Sequence, residues 1–446
     1  MTSLQHPPQQ PATPPPPGGR PAGEPTAEEK GTNPVRLLIL AGLVAWLGIA
    51  GGWAPLVVVL GVVVMIFLHE LGHYLAARWG GMKVTEFFIG FGPKIWSFRK
   101  GETEYGLKVI PAGAYVKVIG MNNLDEVDPA DEAKTYRQAS YPRRMAVAVA
   151  GSTMHFLQAL LILFVLYAFV GVPGGSLTED REWEVGALMP DSAAAQAGIL
   201  EDDRVLRVDG IRYETFTDFA TAISERSPGD EVELTVERDG EVLAVPVELG
   251  ANPRDRSRAM LGIQRDLVTT TVGPVRAVGA SISDFGEQFV ATIGFIGDFF
   301  TPGGIASFAG TVADGGAEPS PVDAGTANAG QGAEPASGDE NRIISIVGAI
   351  GIGAELTENG LLGFLLFFVG INITIGIFNL LPVLPLDGGH VVIATYERIR
   401  EALRPGDQRY FVDMTKLLPV VYAVFVLLVL LGVTTIYLDL VNPVTL

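Results

Sequence analysis

The sequence predicts a polytopic α-helical membrane protein with about five spans and one small α/β module on one side of the membrane. Hydrophobic residues make up 48% of the 446 residues, and they lie in long uncharged runs separated by polar blocks. Core helices of soluble proteins rarely run for about 18 residues without a charge. The net charge of −19 is also unevenly placed, with 30 Asp and Glu against 11 Arg and no Lys between Gly174 and Glu340.

The N-terminal part predicts a tail and two spans. Residues 1–33 are rich in Pro and almost without large apolar side chains, which predicts a disordered tail with polyproline character. After Arg36, the 32 residues Leu37–Leu68 carry no charge. One straight helix of that length would measure about 48 Å, against a hydrocarbon core of about 30 Å. The "GGWAP" segment therefore predicts a break, with an additional first span inside 34–54 and a second over 55–79.

Three more apolar runs complete the five predicted spans, at about 145–171, 361–382 and 417–438. Basic residues flank the second and third spans and fill the loop between the last two, and the positive-inside rule places such loops in the cytoplasm. The N-terminus is then cytoplasmic and the acidic segment 174–360 lies outside. The basic residues concerned are Arg78, Lys83, Arg143, Arg144, Arg398, Arg400, Arg404, Arg409 and Lys416.

The outer segment predicts an α/β module and helices. The stretches "RVLRVDG" and "EVELTVERDGEVLAVPVEL" alternate apolar and polar residues, and "RDGE" is typical of a hairpin turn. Residues 216–225 favour a helix, so 183–250 forms the predicted module. Residues 273–309 predict amphipathic helices near the membrane. The Gly-, Ala- and acid-rich residues 310–341 predict a disordered linker.

Composition excludes several kinds of site. The chain has no Cys, so it forms no disulfide, and any transition metal must be bound by His and carboxylate. An acidic chain is also unsuited to nucleic acid, which requires basic surfaces.

The second predicted span contains "HELGH", which indicates a zinc site. His69 and His73 are one helical turn apart on the same face and can share a Zn²⁺, with Glu70 beside them to take a proton from the attacking water. Such residues in a membrane span are costly unless they are paired, hydrated or bound to metal. A polar cluster that joins neighbouring helices is the alternative, but it does not explain the spacing.

A third ligand is expected elsewhere, because catalytic zinc usually has three protein ligands. Asp387, in "FNLLPVLPLDGGH" at the end of the fourth span, would complete a His₂Asp set. Pro382 and Pro385 should stop the helix and leave unwound backbone near the site. Asp387 as a mere turn residue before a polar helix at 391–403 is the alternative. His155, in the third span, is a possible neighbour of the site.

The ordered set of motifs resembles the site-2 protease family of intramembrane zinc metalloproteases. After "HELGH", the stretch "GFGPKIWSFRKGETEYGLKVIPAGAYVKVIGM" (90–121) is similar to the family's membrane-associated β-hairpin. "GALMPDSAAAQAGILEDDRVLRVDG" (186–210) is similar to the start of an extracytoplasmic PDZ domain, and "NLLPVLPLDGGH" is similar to the late-span motif. The resemblance covers about residues 55–265 and 342–440.

The resemblance implies a domain plan and roles for individual residues. A metalloprotease core in two parts, 55–172 and 342–446, would flank one PDZ-like domain at 174–265 and an amphipathic segment at 266–309. One Zn²⁺ per chain would be bound by His69, His73 and Asp387, with Glu70 as the catalytic base. Substrate backbone would contact Asn379, Pro382 and Pro385. One departure is "GSTMHF", which has His155 where the family often has Asn.

The implied activity is intramembrane proteolysis in a bacterial cytoplasmic membrane. The expected partners are single-span membrane proteins, such as anti-sigma factors or signal-peptide remnants, and a peptide or protein terminus at the PDZ-like domain. An extended substrate could add as a strand to an edge of the hairpin. The alternatives are a non-catalytic PDZ scaffold and a metal-ion transporter; the transporter predicts repeated half-site motifs, and none is visible.

Overall fold

The structure of the protein is a computed structural model that describes residues 33–121, 125–173, 183–189, 192–213, 216–252, 256–267, 269–313, 345–358, 360–403 and 409–441. Its helices are α1 (Pro34–Gly51), α2 (Trp53–Trp79), α3 (Tyr141–Val165), α4 (Ala193–Gln196), α5 (Phe216–Ser224), α6 (Pro274–Phe299), α7 (Pro302–Ala313), α8 (Ile346–Glu358), α9 (Leu361–Asn379), α10 (Asp387–Leu403) and α11 (Met414–Val441). The predicted tail lies outside the described residues except for Asn33, whose side chain caps α1.

The strands belong to a long hairpin and to the α/β segment that follows α3. They are β1 (Val84–Lys100), β2 (Thr103–Val118), β3 (Val172–Pro173), β4 (Trp183–Leu188), β5 (Arg204–Val208), β6 (Glu231–Arg238), β7 (Glu241–Glu248), β8 (Gly250–Ala251), β9 (Ala259–Met260), β10 (Ile263–Leu267) and β11 (Thr269–Thr270).

Five of the described helices are long and apolar enough to cross a membrane: α1, α2, α3 with its terminal π-helical turn to Val170, α9 and α11. They correspond to the five predicted spans. The break between α1 and α2 falls at Gly52, whose φ of 85° lies in the left-handed region that side chains disfavour. The predicted break therefore occurs where the sequence places it.

The hairpin is longer than expected and folds back on itself. Residues 84–89 pair on one side with 104–107 and on the other with 114–118, while 94–100 pair with 103–108. The result is a sheet of four segments in the order 114–118, 84–89, 104–107 and 94–100, in which the two outer pairings are antiparallel and the two central segments run in the same direction. The resemblance began this element at residue 90 and so missed the first six residues of β1, 84–89.

The α/β domain is built from β5–β6–β7, the pair β4–β10 and helix α5. Its apolar core is separate from that of the membrane helices, and the largest buried side chains include Ile199, Leu234 and Leu249. The "RDGE" turn joins β6 to β7 as predicted. The module extends past residue 250, because β10 returns to pair with β4.

Three segments differ from the sequence expectations. Helix α7 continues to Ala313, so the predicted linker does not begin at 310, and residues 314–341 lie outside the described part of the chain. Helix α8 was not predicted; it packs against α2 and α9. Helix α10 begins at Asp387, four residues before the predicted start of the polar helix.

Helix α3 is the centre of the helical part, since it packs against α2, α6, α9 and α10. Glycines lie where the helices approach one another most closely. A Cβ on Gly72 of α2 would lie 2.7 Å from the Ala150 carbonyl oxygen, and one on Gly376 of α9 would lie 2.5 Å from the Phe156 ring. These contacts bring α2, α3 and the end of α9 together around the HELGH residues.

Candidate metal centre

Two imidazoles on α2 face each other inside the helix bundle. The Nε2 atoms of His69 and His73 are 3.1 Å apart, and both side chains are buried. His73 Nδ1 lies 2.8 Å from the carbonyl oxygen of Val147 on α3. A carbonyl only accepts, so Nδ1 carries the hydrogen and Nε2 keeps a free lone pair. This second contact orients the ring in the way that metal-binding histidines are usually oriented.

A carboxylate from the other end of the chain completes the cluster. The Oδ2 atom of Asp387 lies 3.5 Å from His69 Nε2 and 3.3 Å from His73 Nε2. Asp387 is the first residue of α10, and the non-helical segment 380–386 carries the chain back from α9 to reach this position.

The geometry of the three donor atoms fits zinc. In a tetrahedral site with metal–ligand distances of about 2.0–2.1 Å, neighbouring donors are about 3.3 Å apart. The three observed separations are 3.1, 3.3 and 3.5 Å. Asp387 Oδ2 is also buried without a hydrogen-bond partner, which is costly unless a cation is bound. Among the described residues, His69, His73 and Asp387 form the one group of three or more metal-ligating side chains close enough to share an ion.

Gly151 of α3 closes one side of this centre. A Cβ at this position would lie 2.3 Å from His69 Cε1 and 2.5 Å from the Nε2 atoms of both histidines. Real Cβ atoms do not approach so closely, so any larger residue here would displace the imidazoles. The sequence shows Gly151 only as a small residue within "GSTMHF".

Glu70 faces a different neighbour, the hairpin. Its Oε2 atom accepts a hydrogen bond of 3.1 Å from the backbone N–H of Val116. Val116 lies in the outer segment 114–118, and its N–H points away from the strand with which that segment pairs. The base candidate thus lies at an outer strand edge, next to the two candidate metal ligands on the same helix.

The remaining predicted residues lie around the cluster and not within it. Asn379 is the half-buried last residue of α9, and Pro382 and Pro385 are exposed in the segment that follows. His155 is buried, its ring centroid is 5.0 Å from that of His69, and its Nδ1 is 2.9 Å from Asn372 Oδ1. Asn372 was not singled out in the sequence; an Asn in the middle of an apolar helix was the available signal.

Comparisons with known proteins identify a family and several relatives. Residues 57–320 and 333–423 match the model of Peptidase family M50. A protein named zinc metalloprotease Rip1 from Mycobacterium bovis is 33% identical over 409 residues, covering 87% of this chain and 97% of the relative. A putative zinc metalloprotease of Agrobacterium fabrum is 30% identical over 375 residues, covering 79% and 88%. Among solved structures, the PDZ domain of the SdrC-like protein of Listeria monocytogenes covers 20% of this chain and 90% of its own, with 20% identity and a TM-score of 0.18.

Proposed function

Because this chain belongs to Peptidase family M50 and is a zinc metalloendopeptidase, we propose that it cuts a peptide bond within or near the transmembrane helix of a single-span membrane protein. The observation that carries the proposal is the His69–His73–Asp387 cluster, which lies inside a bundle of helices long and apolar enough to span a membrane. Anti-sigma factors and signal-peptide remnants are the proposed kinds of substrate.

In this proposal the three clustered side chains hold the metal and Glu70 moves the proton. A Zn²⁺ held by His69, His73 and Asp387 would polarise the scissile carbonyl and lower the pKa of the attacking water. Glu70 takes the proton from that water and later gives it to the leaving amine. His73 keeps its orientation through the contact of its Nδ1 with the Val147 carbonyl oxygen.

The free edge at 114–118 is the proposed docking strand for the substrate. A peptide bond inside a helix is shielded by the helix's own hydrogen bonds, so the substrate must be extended before it is cut. An extended segment that pairs with residues 114–118 would pass directly beside Glu70, because Val116 already contacts that carboxylate. Asn379, Pro382 and Pro385, in and after the last turn of α9, are proposed to contact the substrate backbone, with His155 as a neighbour of the site.

We propose the bacterial cytoplasmic membrane as the location, with the basic loops in the cytoplasm and the α/β domain outside. The α/β domain is proposed to be PDZ-like, and the proposed partner of this domain is a peptide or protein terminus. A cavity of about 380 Å³ lies between α5 and residues 259–263 and is lined by side chains such as Phe219, Ala220 and Met260. A site toward the cytoplasmic side is part of this proposal, and it is supported by HELGH lying near the end of α2 that carries Arg78.

Reconstituted protein should cleave a tagged single-span substrate in proteoliposomes. We expect two fragments, with the cut mapped by mass spectrometry to the apolar segment or its flanks. A zinc chelator should stop the reaction and added Zn²⁺ should restore it, because no other cluster of ligands exists among the described residues. A protein that holds one Zn²⁺ per chain but leaves helices of several single-span substrates intact would contradict the proposed substrate class.

The α/β domain is proposed to act as a gate that rejects substrates with bulky outer domains. Removing residues 183–267 and closing the gap with a short linker should raise cleavage of a long-ectodomain substrate relative to the same substrate trimmed beforehand. The ratio of the two initial rates is the measurement, since it cancels any general loss of activity. An unchanged ratio in a variant that still cuts the trimmed substrate would show that the domain is only a spacer.

A further inference from the structure

The zinc ligands reach the centre from two separate helices that are held in different ways. His69 and His73 lie on α2, where Gly151 and Val147 of α3 fix their rings. Asp387 instead lies at the start of α10, at the end of a non-helical segment. A helix attached only through such a segment could rotate or slide, so the position of Asp387 depends on what holds the rest of α10.

A buried ion pair joins α10 to α3. Arg144 Nη2 donates to Glu397 Oε2 at 2.5 Å, and the two side chains are 11% and 1% exposed. The other oxygen of Glu397 accepts a hydrogen bond of 2.7 Å from the backbone N–H of Val412, just before α11. Both oxygens of one carboxylate are therefore used, and they tie together α3, α10 and the connection to α11.

The pair is linked to the metal centre by a short series of contacts. The Arg144 guanidinium lies 5.2 Å from the centroid of the Tyr136 ring, and that ring is 6.2 Å from the ring of His390. His390 is one helical turn after Asp387. Glu397 follows Asp387 by ten residues, which is about 15 Å along a helix. Asp387 and Glu397 thus lie on one rigid helix, Asp387 at its start and Glu397 in its second half.

We propose that the Arg144–Glu397 pair is a positioning device for the zinc site, which fixes the rotation and height of α10 and thereby holds Asp387 Oδ2 between the two imidazoles. This inference rests on the proposed role of Asp387 as a zinc ligand. Buried ion pairs are weak evidence for stability, because apolar residues of similar volume often replace them without loss of stability. Their specific contribution is to fix the relative position of the elements that they join. Here one of those elements is α10, which carries the proposed zinc ligand Asp387.

The test is zinc affinity in a variant that removes both charges together. Arg144→Met with Glu397→Met avoids leaving one buried charge unpaired and keeps side chains of similar length. We expect the dissociation constant for zinc, measured by chelator competition on purified full-length protein, to rise about 10–100-fold, as it does when residues that orient ligands are lost. Arg143→Met, at the exposed neighbouring position, is the matched control and should bind zinc like the wild type.

A double-mutant cycle with Asp387→Ala distinguishes an effect on the position of Asp387 from a general loss of structure. If the pair acts through Asp387, the double substitution should weaken zinc binding no further once Asp387 is absent. The inference would be overturned if the Arg144→Met, Glu397→Met variant bound zinc as tightly as the wild type. It would also be overturned if these two substitutions weakened zinc binding as much in the Asp387→Ala protein as they do in the wild type. If wild-type protein binds no stoichiometric zinc, or Asp387→Ala alone leaves affinity unchanged, it is the proposed ligand set that fails. A cooperative thermal unfolding transition and a single peak in size-exclusion chromatography show that each variant is folded.

Discussion

Replacing Glu70 with Gln should lower the rate of peptide cleavage by about 10²–10⁴-fold, which is the range expected when a general acid–base group is removed. Gln has nearly the same shape, and its amide oxygen can still accept the hydrogen bond from Val116. It cannot take a proton from water. The initial rate with a single-span substrate in proteoliposomes is the measurement.

Zinc content provides the control for that result. Glu70 is not one of the three clustered donors, so the Glu70→Gln protein should still bind one Zn²⁺ per chain by metal analysis. A Glu70→Gln enzyme that cuts at the wild-type rate would rule out Glu70 as the base. An inactive variant that had also lost its metal would instead place Glu70 among the ligands. The same variant, expressed in cells, should retain uncut single-span substrates for identification.

Asp387→Ala should raise the dissociation constant for zinc by more than about 100-fold. Loss of a residue that only orients a ligand typically raises it by about 10–100-fold. The substitution removes one of three donors and leaves the two imidazoles with two open positions. Cleavage should fall along with zinc occupancy, and excess Zn²⁺ should restore part of it. Chelator competition and the cleavage rate at several zinc concentrations are the measurements.

The matched control for this substitution is Asp413→Ala, which removes an exposed carboxylate just before α11. It should bind zinc and cut substrate like the wild type. Full zinc occupancy in the Asp387→Ala protein would show that Asp387 serves only as the first residue of α10. His69 and His73 would then need another partner, and His155 is the nearest remaining imidazole.

Local patterns predicted much of this fold. Charge-free runs located the five long helices, and "GGWAP" located the break between the first two. The four-residue spacing of His69 and His73 was enough to place their Nε2 atoms together, because one helix carries both. Asp387 is different, since 314 positions separate it from His73. Its proposed role came from the three protein ligands expected of catalytic zinc and from a family resemblance, and the contact itself required the structure.

Contacts between distant elements could not be predicted. Periodicity reports which face of an element is apolar, but it does not say which element covers that face. The closeness of Gly151 to both imidazoles, the hydrogen bond from Val116 to Glu70 and the Arg144–Glu397 pair all depend on tertiary packing. Helix α8 was missed for another reason, since its short apolar run adjoins a segment predicted as linker.

The tight contact at Gly151 determines the direction from which a ligand can reach the metal. Helix α3 fills the space beside His69 and His73 so fully that one added carbon atom does not fit. An inhibitor with a zinc-binding group must therefore enter from another direction, and the Glu70 side is bordered by the outer hairpin segment. A compound that combines such a group with an extended, strand-like arm would fill both features at once. Selectivity among related enzymes could then be designed into the arm, away from the metal.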